Sequence, residues 1–164
     1  MENEERSMVP LTTNDLEQLK ELALREHKNF FERNPHLKSA YCDSLIGIFL
    51  CQGAASHYLN PTVGVKDFDI WHFYVENTEI SFPYRAHKRI EDGYKGRPID
   101  FLKRAISKDI LDSCSGQSNR PLMKYLLERN TNTHRELLEK AIVGLFPHVL
   151  FARVLWKGKP QYLG

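Results

Sequence analysis

The sequence predicts an α+β fold, a mixed β-sheet with flanking helices in one domain. Three observations carry this. Apolar residues recur at helical spacing near the N-terminus, at Leu16, Leu19, Ala23 and Phe30. Short apolar runs at 45–51 and 65–75 have the length and the Ile, Phe and Val content of buried strands. The order along the chain is helix, strand, short helix, strand, strand, two helices, strand, which one layered sheet accommodates.

Residues 1–11 are polar and carry Pro10, so they read as a flexible N-terminal arm, with 12–164 as the single domain. Thr13 or Asn14 can cap a first helix that runs to about Asn34, where Asn34-Pro35 ends it. The run 45–51 is the first strand. Gly53 breaks it, and 54–59 forms a short helix before Asn60-Pro61. The second strand covers 65–75. Residues 77–96 are polar and basic, punctuated by Pro83, Gly93 and Gly96, and read as a connection; the third strand follows at 97–104. A Ser/Gly/Asn-rich loop at 113–119 leads to Pro121, placed for the first turn of a helix reaching Arg129. Thr133 and Glu136 match a capping box, with Leu137, Leu138, Ala141, Ile142 and Leu145 as the apolar stripe behind them. Pro147 stops that helix, and 149–156 is the closing strand.

Composition excludes several classes. A chain of 164 residues has room for one sizeable core. A formal net charge of +2 is too small to announce a nucleic-acid binder. Cys42, Cys51 and Cys114 form no CxxC pair, so they read as reduced thiols rather than a disulfide framework or a zinc site. The start, Met1-Glu2-Asn3-Glu4-Glu5-Arg6, is charged, unlike a secretory signal. The most apolar run, 45–51, is far shorter than the ~20 residues of a membrane helix. The expectation is a cytoplasmic protein with no membrane partner.

The chemistry sits in Asp67-Phe68-Asp69-Ile70. Residues i and i+2 of a strand share a face, so Asp67 and Asp69 stand side by side. Two such charges repel unless a cation lies between them. Mg2+ or Mn2+ suits the pair, because a hard ion takes oxygen ligands and keeps positions for substrate phosphates. Metal-assisted phosphoryl chemistry is the leading reading.

Gly53-Ala54-Ala55, then Asp67 and Asp69, then Asp100 in Pro98-Ile99-Asp100-Phe101-Leu102, make a larger pattern over about 45–104. It resembles the core of the nucleotidyltransferase superfamily, the group of DNA polymerase beta and the kanamycin nucleotidyltransferases, and within it small bacterial proteins with a minimal core. That family joins a glycine turn after a strand to an Asp-apolar-Asp strand and a third carboxylate on a later strand. The resemblance implies that Gly53 and Ala54, at a helix N-terminus, bring backbone N–H groups to the phosphates of a nucleoside triphosphate. It implies that Asp67, Asp69 and Asp100 are catalytic and hold metal, Asp100 also taking the proton of an attacking hydroxyl. The reaction is then transfer of a nucleoside monophosphate to a hydroxyl acceptor. Ala54 and Ala55 stand where the family prefers Ser or Gly, which leaves Ser56 as the nearest hydroxyl.

Arg85, His87, Lys88, Arg89, Lys95 and Arg97 lie between the second and third strands and could neutralise a triphosphate or guide a nucleic-acid backbone; a solvated loop is the plainer reading for most of them. Arg97, three residues before Asp100, is the strongest candidate for a phosphate contact. His27 and His72 read as structural, and His57, one turn beyond the glycine, reads as structural before it reads as a phosphate contact. Trp71, Phe73, Tyr74 and Trp156 read as core rather than as a stacking platform for a base. Two other readings stay open: a catalytically inactive binding or interaction module of the same fold, and an assembly protein whose acids pair with Lys66 or Arg104. Catalysis requires three carboxylates converging on an open cleft, a binding module a cleft with incomplete metal geometry, and an assembly protein acids bonded to Lys or Arg. The chain leaves little room for an acceptor-binding domain, so a homodimer or a protein partner could supply part of the site.

Overall fold

Thr12, one residue ahead of the expected caps, starts the first helix, α1 (Thr13–Arg33). Its hydroxyl accepts the Asp15 N–H at 3.1 Å and its own N–H donates to the Asp15 carboxylate at 2.8 Å, a reciprocal capping box. The structure, a computed structural model, describes residues 6–83, 86–107, 109, 141–155 and the backbone of 161–162. The predicted stripe is the buried face of α1, with Phe31 added to Leu16, Leu19, Ala23 and Phe30. Asn34-Pro35 ends α1 and at once begins α2 (Pro35–Tyr41), with proline at the start of the new helix. Strand β1 (Leu45–Cys51), helix α3 (Gln52–Leu59), a 3-10 turn at Pro61–Val63 and β2 (Phe68–Val75) follow. Then come β3 (Ala86–Tyr94), β4 (Arg97–Ile106), β5 (Ala141–Phe146), β6 (Arg153–Leu155) and β7 (Gln161–Tyr162).

The strands form one mixed sheet in the order β3-β4-β2-β1-β5-β6-β7. Only β2 and β4 run parallel among the described pairs. On one face, Ile48, Leu50, Phe68, Ile70, Ile99 and Phe101 pack beneath α1 and α3. An aromatic group around Phe30, Phe31, Tyr41 and Tyr74 continues that layer. The other face carries a smaller cluster built on Phe49, Trp71, Phe73 and Ile142. No helix among the described residues is long and apolar enough to cross a membrane.

The structure corrects four expectations. The supposed connection 77–96 contains β3, a strand whose residues His87–Asp92 are all exposed, so no apolar alternation marked it. Its hairpin to β4 turns on Lys95 (φ 49°) and Gly96 (φ 75°), two successive left-handed residues of the kind a two-residue hairpin demands. Residues 141–145 are strand, not the end of a helix. Ala141, Ile142, Val143 and Leu145 are buried on both faces between β1 and β6, and a doubly buried strand has no period of its own to read. The closing strand shrinks to β6, because the chain turns through Leu150 (φ 66°) first. The second strand begins at Phe68, not at residue 65; Val65 instead exchanges backbone hydrogen bonds of 2.8 and 2.9 Å with Ser7 of the N-terminal arm. The predicted loop at 113–119, the helix from Pro121, the cap of Thr133 and Glu136 with Leu137 and Leu138, and Arg85, Cys114 and Trp156 lie outside the described residues.

Candidate functional site

Sheet register builds the site. In the parallel β2–β4 pair Asp69 stands opposite Asp100, and in the β1–β2 pair it stands opposite Cys51, the last residue before α3. Neighbouring strands lie about 4.8 Å apart, so the two carboxylates are neighbours on one face. Asp69 and Asp100 both open into a cleft of about 510 Å³ on the face away from α1. Gln52, Trp71 and Leu102 line it beside them, and His87, Arg89 and Arg104 supply its basic wall. The edge residues Ala86 and Lys103 complete it.

Asp100 is nearly buried and holds two partners. His87 Nε2 lies 2.8 Å from its Oδ1, and Arg89 Nη1 donates to its Oδ2 at 2.6 Å. Register explains this, since Arg89 stands directly opposite Asp100 across β3 and β4. The same Nη1 lies 3.7 Å from Asp67 Oδ2, and Arg89 Nε donates to Glu91 at 2.8 Å. One guanidinium therefore spans Asp67 and Asp100. Its bond to Glu91, opposed by burial and backed by the charges of Asp100, Glu91 and Asp67, holds Arg89 above the usual arginine range. Asp67 precedes β2 rather than lying in it, so the acidic pair is half in the strand and half in its entry.

Trp71 is 3 % exposed and lies in the floor. Among the described residues its Nε1 has no hydrogen-bond partner, and the Arg104 guanidinium sits 5.6 Å from its ring centroid. A buried indole N–H ordinarily finds an acceptor, so this donor is a candidate contact for a bound molecule. Gln52, the first residue of α3, has φ 57°, an unfavourable conformation for a residue with a side chain. No side chain caps α3. Burial, and then the charge of Asp69, push the Cys51 thiol well up, so it is no nucleophile.

The structure brings together Asp69 and Asp100, whereas Asp67 does not line the cleft and is tied to Asp100 through Arg89. Gly53 lies in the first turn of α3 and is half-buried, next to the cleft residue Gln52. Ala54 and Ala55 are buried in the core beneath the sheet, and Ser56 is half-buried on α3; none of the three lines the cleft. Arg97 does not line it either. In β4 an offset of three residues puts Arg97 and Asp100 on opposite faces, so proximity in sequence to the acid was the wrong criterion. His57 is buried, with Nε2 2.7 Å from the Val9 carbonyl, and His72 is buried, with Nε2 3.0 Å from the Ala23 carbonyl; both are structural. His27 meets the Tyr74 hydroxyl at 2.8 Å. Phe73 and Tyr74 are core, as expected.

Sequence reasoning missed Gln52, placed His87 and Arg89 in a basic loop rather than on a strand beside Asp100, and saw Arg104 only as an ion-pair partner of the acids. Once β3 is read as a strand, His87, Arg89 and Glu91 share a face by simple alternation, and that pattern was the available signal. Trp71, expected in the core, is both core and cleft floor. No family model, curated protein or solved structure matches this chain.

Proposed function

We propose that the cleft binds a nucleoside triphosphate and transfers its nucleoside monophosphate to a hydroxyl acceptor, with Asp67, Asp69 and Asp100 as the acidic centre. The observation that supports this best is the β2–β4 register, which sets Asp69 beside Asp100 in the cleft wall, one strand from the uncapped start of α3. The lining also suits a polyphosphate: against two carboxylates it sets His87, Arg89 and Arg104.

The donor set fits Mg2+ or Mn2+ in kind, being all carboxylate oxygen. Arg89 already places one cation between Asp67 and Asp100. Among the described residues no three His, Cys, Asp or Glu side chains gather closely enough to hold a metal, so loading requires Arg89 to withdraw. Arg89 is 38 % exposed and the Asp100 side chain 11 %, so withdrawing Arg89 gives up a charge-assisted hydrogen bond worth about 1.5–3 kcal/mol, which the bound metal has to offset. A bound divalent ion would neutralise phosphate charge and polarise the reacting phosphoryl group. Arg89, once released, and Arg104 are placed to bind phosphate oxygens. Gln52 and the first N–H groups of α3 orient the chain of phosphates. Asp100 takes the proton of the acceptor hydroxyl as its oxygen bonds to the α-phosphorus and pyrophosphate leaves.

Calorimetry of each nucleoside triphosphate with Mg2+ or Mn2+, on wild type and on Asp67→Ala/Asp69→Ala, tests the reading. Metal-dependent binding that the double variant loses is the expected result. Absence of binding by the wild type to all four would end the nucleotide assignment. A second reading is a binding module without turnover, favoured by the incomplete metal geometry among the described residues, and the bonds of Asp100 to His87 and Arg89 also meet the requirement for an assembly protein whose acids pair with basic side chains. That module would bind triphosphate equally well in EDTA.

A further inference from the structure

Strand β3 ends the sheet, and among the described residues nothing pairs with its outer edge. Its residues His87–Asp92 are exposed without interruption. An edge of this kind is a template for another strand, and charges of one sign along it would repel a second copy. Here the charges do the reverse. Lys88-Arg89-Ile90-Glu91-Asp92 reads basic, basic, apolar, acidic, acidic about a central isoleucine.

We propose that β3 is a homodimer edge, pairing antiparallel with β3 of a second copy about a two-fold axis through Ile90. Antiparallel pairing about that centre sets Lys88 opposite Asp92 and Arg89 opposite Glu91, each pair occurring twice by symmetry. Every one of these pairs joins opposite charges, and no other centre within the five residues achieves this. Ile90, 39 % exposed in the single chain, meets its own copy at the axis. Directly opposed residues share a face, so the geometry is consistent with alternation: Lys88, Ile90 and Asp92 lie on one side, Arg89 and Glu91 on the other. The register between β3 and β4 slips after Ile90, which keeps the shared ladder short, about five residues on each chain, and the dimer correspondingly weak.

The pairing reaches the cleft. Arg89 bonds Glu91 of its own chain and Asp100 together. In the dimer Glu91 of the second copy also faces Arg89 and competes with Asp100 for the guanidinium. The inference rests on strand order and charge pattern and stands apart from the nucleotide reading.

Analytical ultracentrifugation of four proteins tests it: wild type, Lys88→Glu, Asp92→Lys, and the double swap. Lys88 and Asp92 are exposed and carry no role in the acidic centre, and circular dichroism verifies the folding of each variant. The expected result is a wild-type dimer whose dissociation constant rises about tenfold or more in each single variant, where like charges meet twice, and recovers in the double swap. A wild type that stays monomeric up to roughly 1 mM, the weak end of association, overturns the proposal. So do single variants that dimerise as well as wild type, which would put the interface elsewhere, and a double swap that fails to recover.

Discussion

Lys103→Met should destabilise the protein by about 2–3 kcal/mol, and the reason lies directly behind the cleft. Lys103 is 1 % exposed, with Nζ 2.7 Å from Glu26 Oε2 and 4.8 Å from the Phe30 ring centroid. Arg33 Nη2 donates to the same Glu26 oxygen at 2.7 Å, and that arginine side chain is 43 % exposed. Breaking a buried pair by removing one partner costs about 3–5 kcal/mol, mostly from the charge left behind. Methionine keeps the length and fills the space. Arg33 remains on Glu26, so part of the loss is offset. The cation–ring attraction, of the order of 1 kcal/mol, goes as well, although sulfur against Phe30 returns some of it. For a chain of this size 1 kcal/mol moves Tm by about 2–4 °C, which predicts a fall of about 4–12 °C alongside the shift in urea midpoint. Glu26→Leu/Lys103→Met removes both buried charges and should recover most of the stability. A single variant within 0.5 kcal/mol of wild type would refute the reasoning, as would a double variant no more stable than Lys103→Met.

Other outcomes follow from the same geometry. Burial, then the charge of Lys103, holds His72 down to about 3, so the folded state keeps it neutral while the unfolded chain takes a proton below about 6.5. Stability is therefore lost as pH falls from about 6.5 toward 3, by about 2 kcal/mol between 6.5 and 5, with half-buried His27 adding in the same direction. Urea unfolding of His72→Gln should show a flatter limb there, and an unchanged limb would remove His72 from the account. Gln52→Gly should relieve the left-handed backbone and raise stability by up to about 1 kcal/mol while weakening triphosphate binding. Gln52→Ala should lose the binding without the gain, and equal stability in the two variants would show that the φ of 57° carries no strain. Arg89→Ala should tighten Mn2+ binding by roughly tenfold, read by calorimetry, because the metal no longer competes with a guanidinium, while triphosphate affinity falls. Unchanged Mn2+ affinity would mean that Arg89 does not stand in the path of the cation.

The core of the fold was legible where burial is one-sided or strands are short and apolar. α1 and β1 follow from the spacing of Leu16, Leu19 and Ala23 and from an unbroken apolar run, and both fall within a residue or so of their predicted bounds. β5 was not legible, because Ala141-Ile142-Val143-Gly144-Leu145 is buried on both faces and mimics the stripe of the helix read before it. β3 was hidden for the opposite reason. Its edge position exposes it, and an exposed polar strand has the composition of a loop. Asp69 and Asp100 were found from spacing, because strand alternation and a motif carry that information along one chain segment. Their basic neighbours stood in the basic set but not beside Asp100, since the hairpin register that sets them there is visible only once β3 is read as a strand.

That hairpin is where the fold and the site become one problem. β2 and β4 are parallel neighbours, so the chain must travel back between them before β4 can begin. It returns as β3, on the outer edge, antiparallel to β4. Whatever residues occupy the return leg are then set in register against β4, and one face of that leg looks into the same cleft as Asp69 and Asp100. Parallel pairing of the two acid-bearing strands thus concentrates like charge, and the return strand it requires delivers Arg89 and His87 to the same place. The acids and their counter-charges are consequences of one topological choice. A variant that breaks the Lys95-Gly96 turn, such as Gly96→Val at φ 75°, should loosen Arg89 from Asp100 and disturb the cleft while the core beneath α1 stays packed. Amide exchange that rises in β3 but not in β1 is the expected signature, and uniform loss of protection would mean that the hairpin and the core fold as one unit.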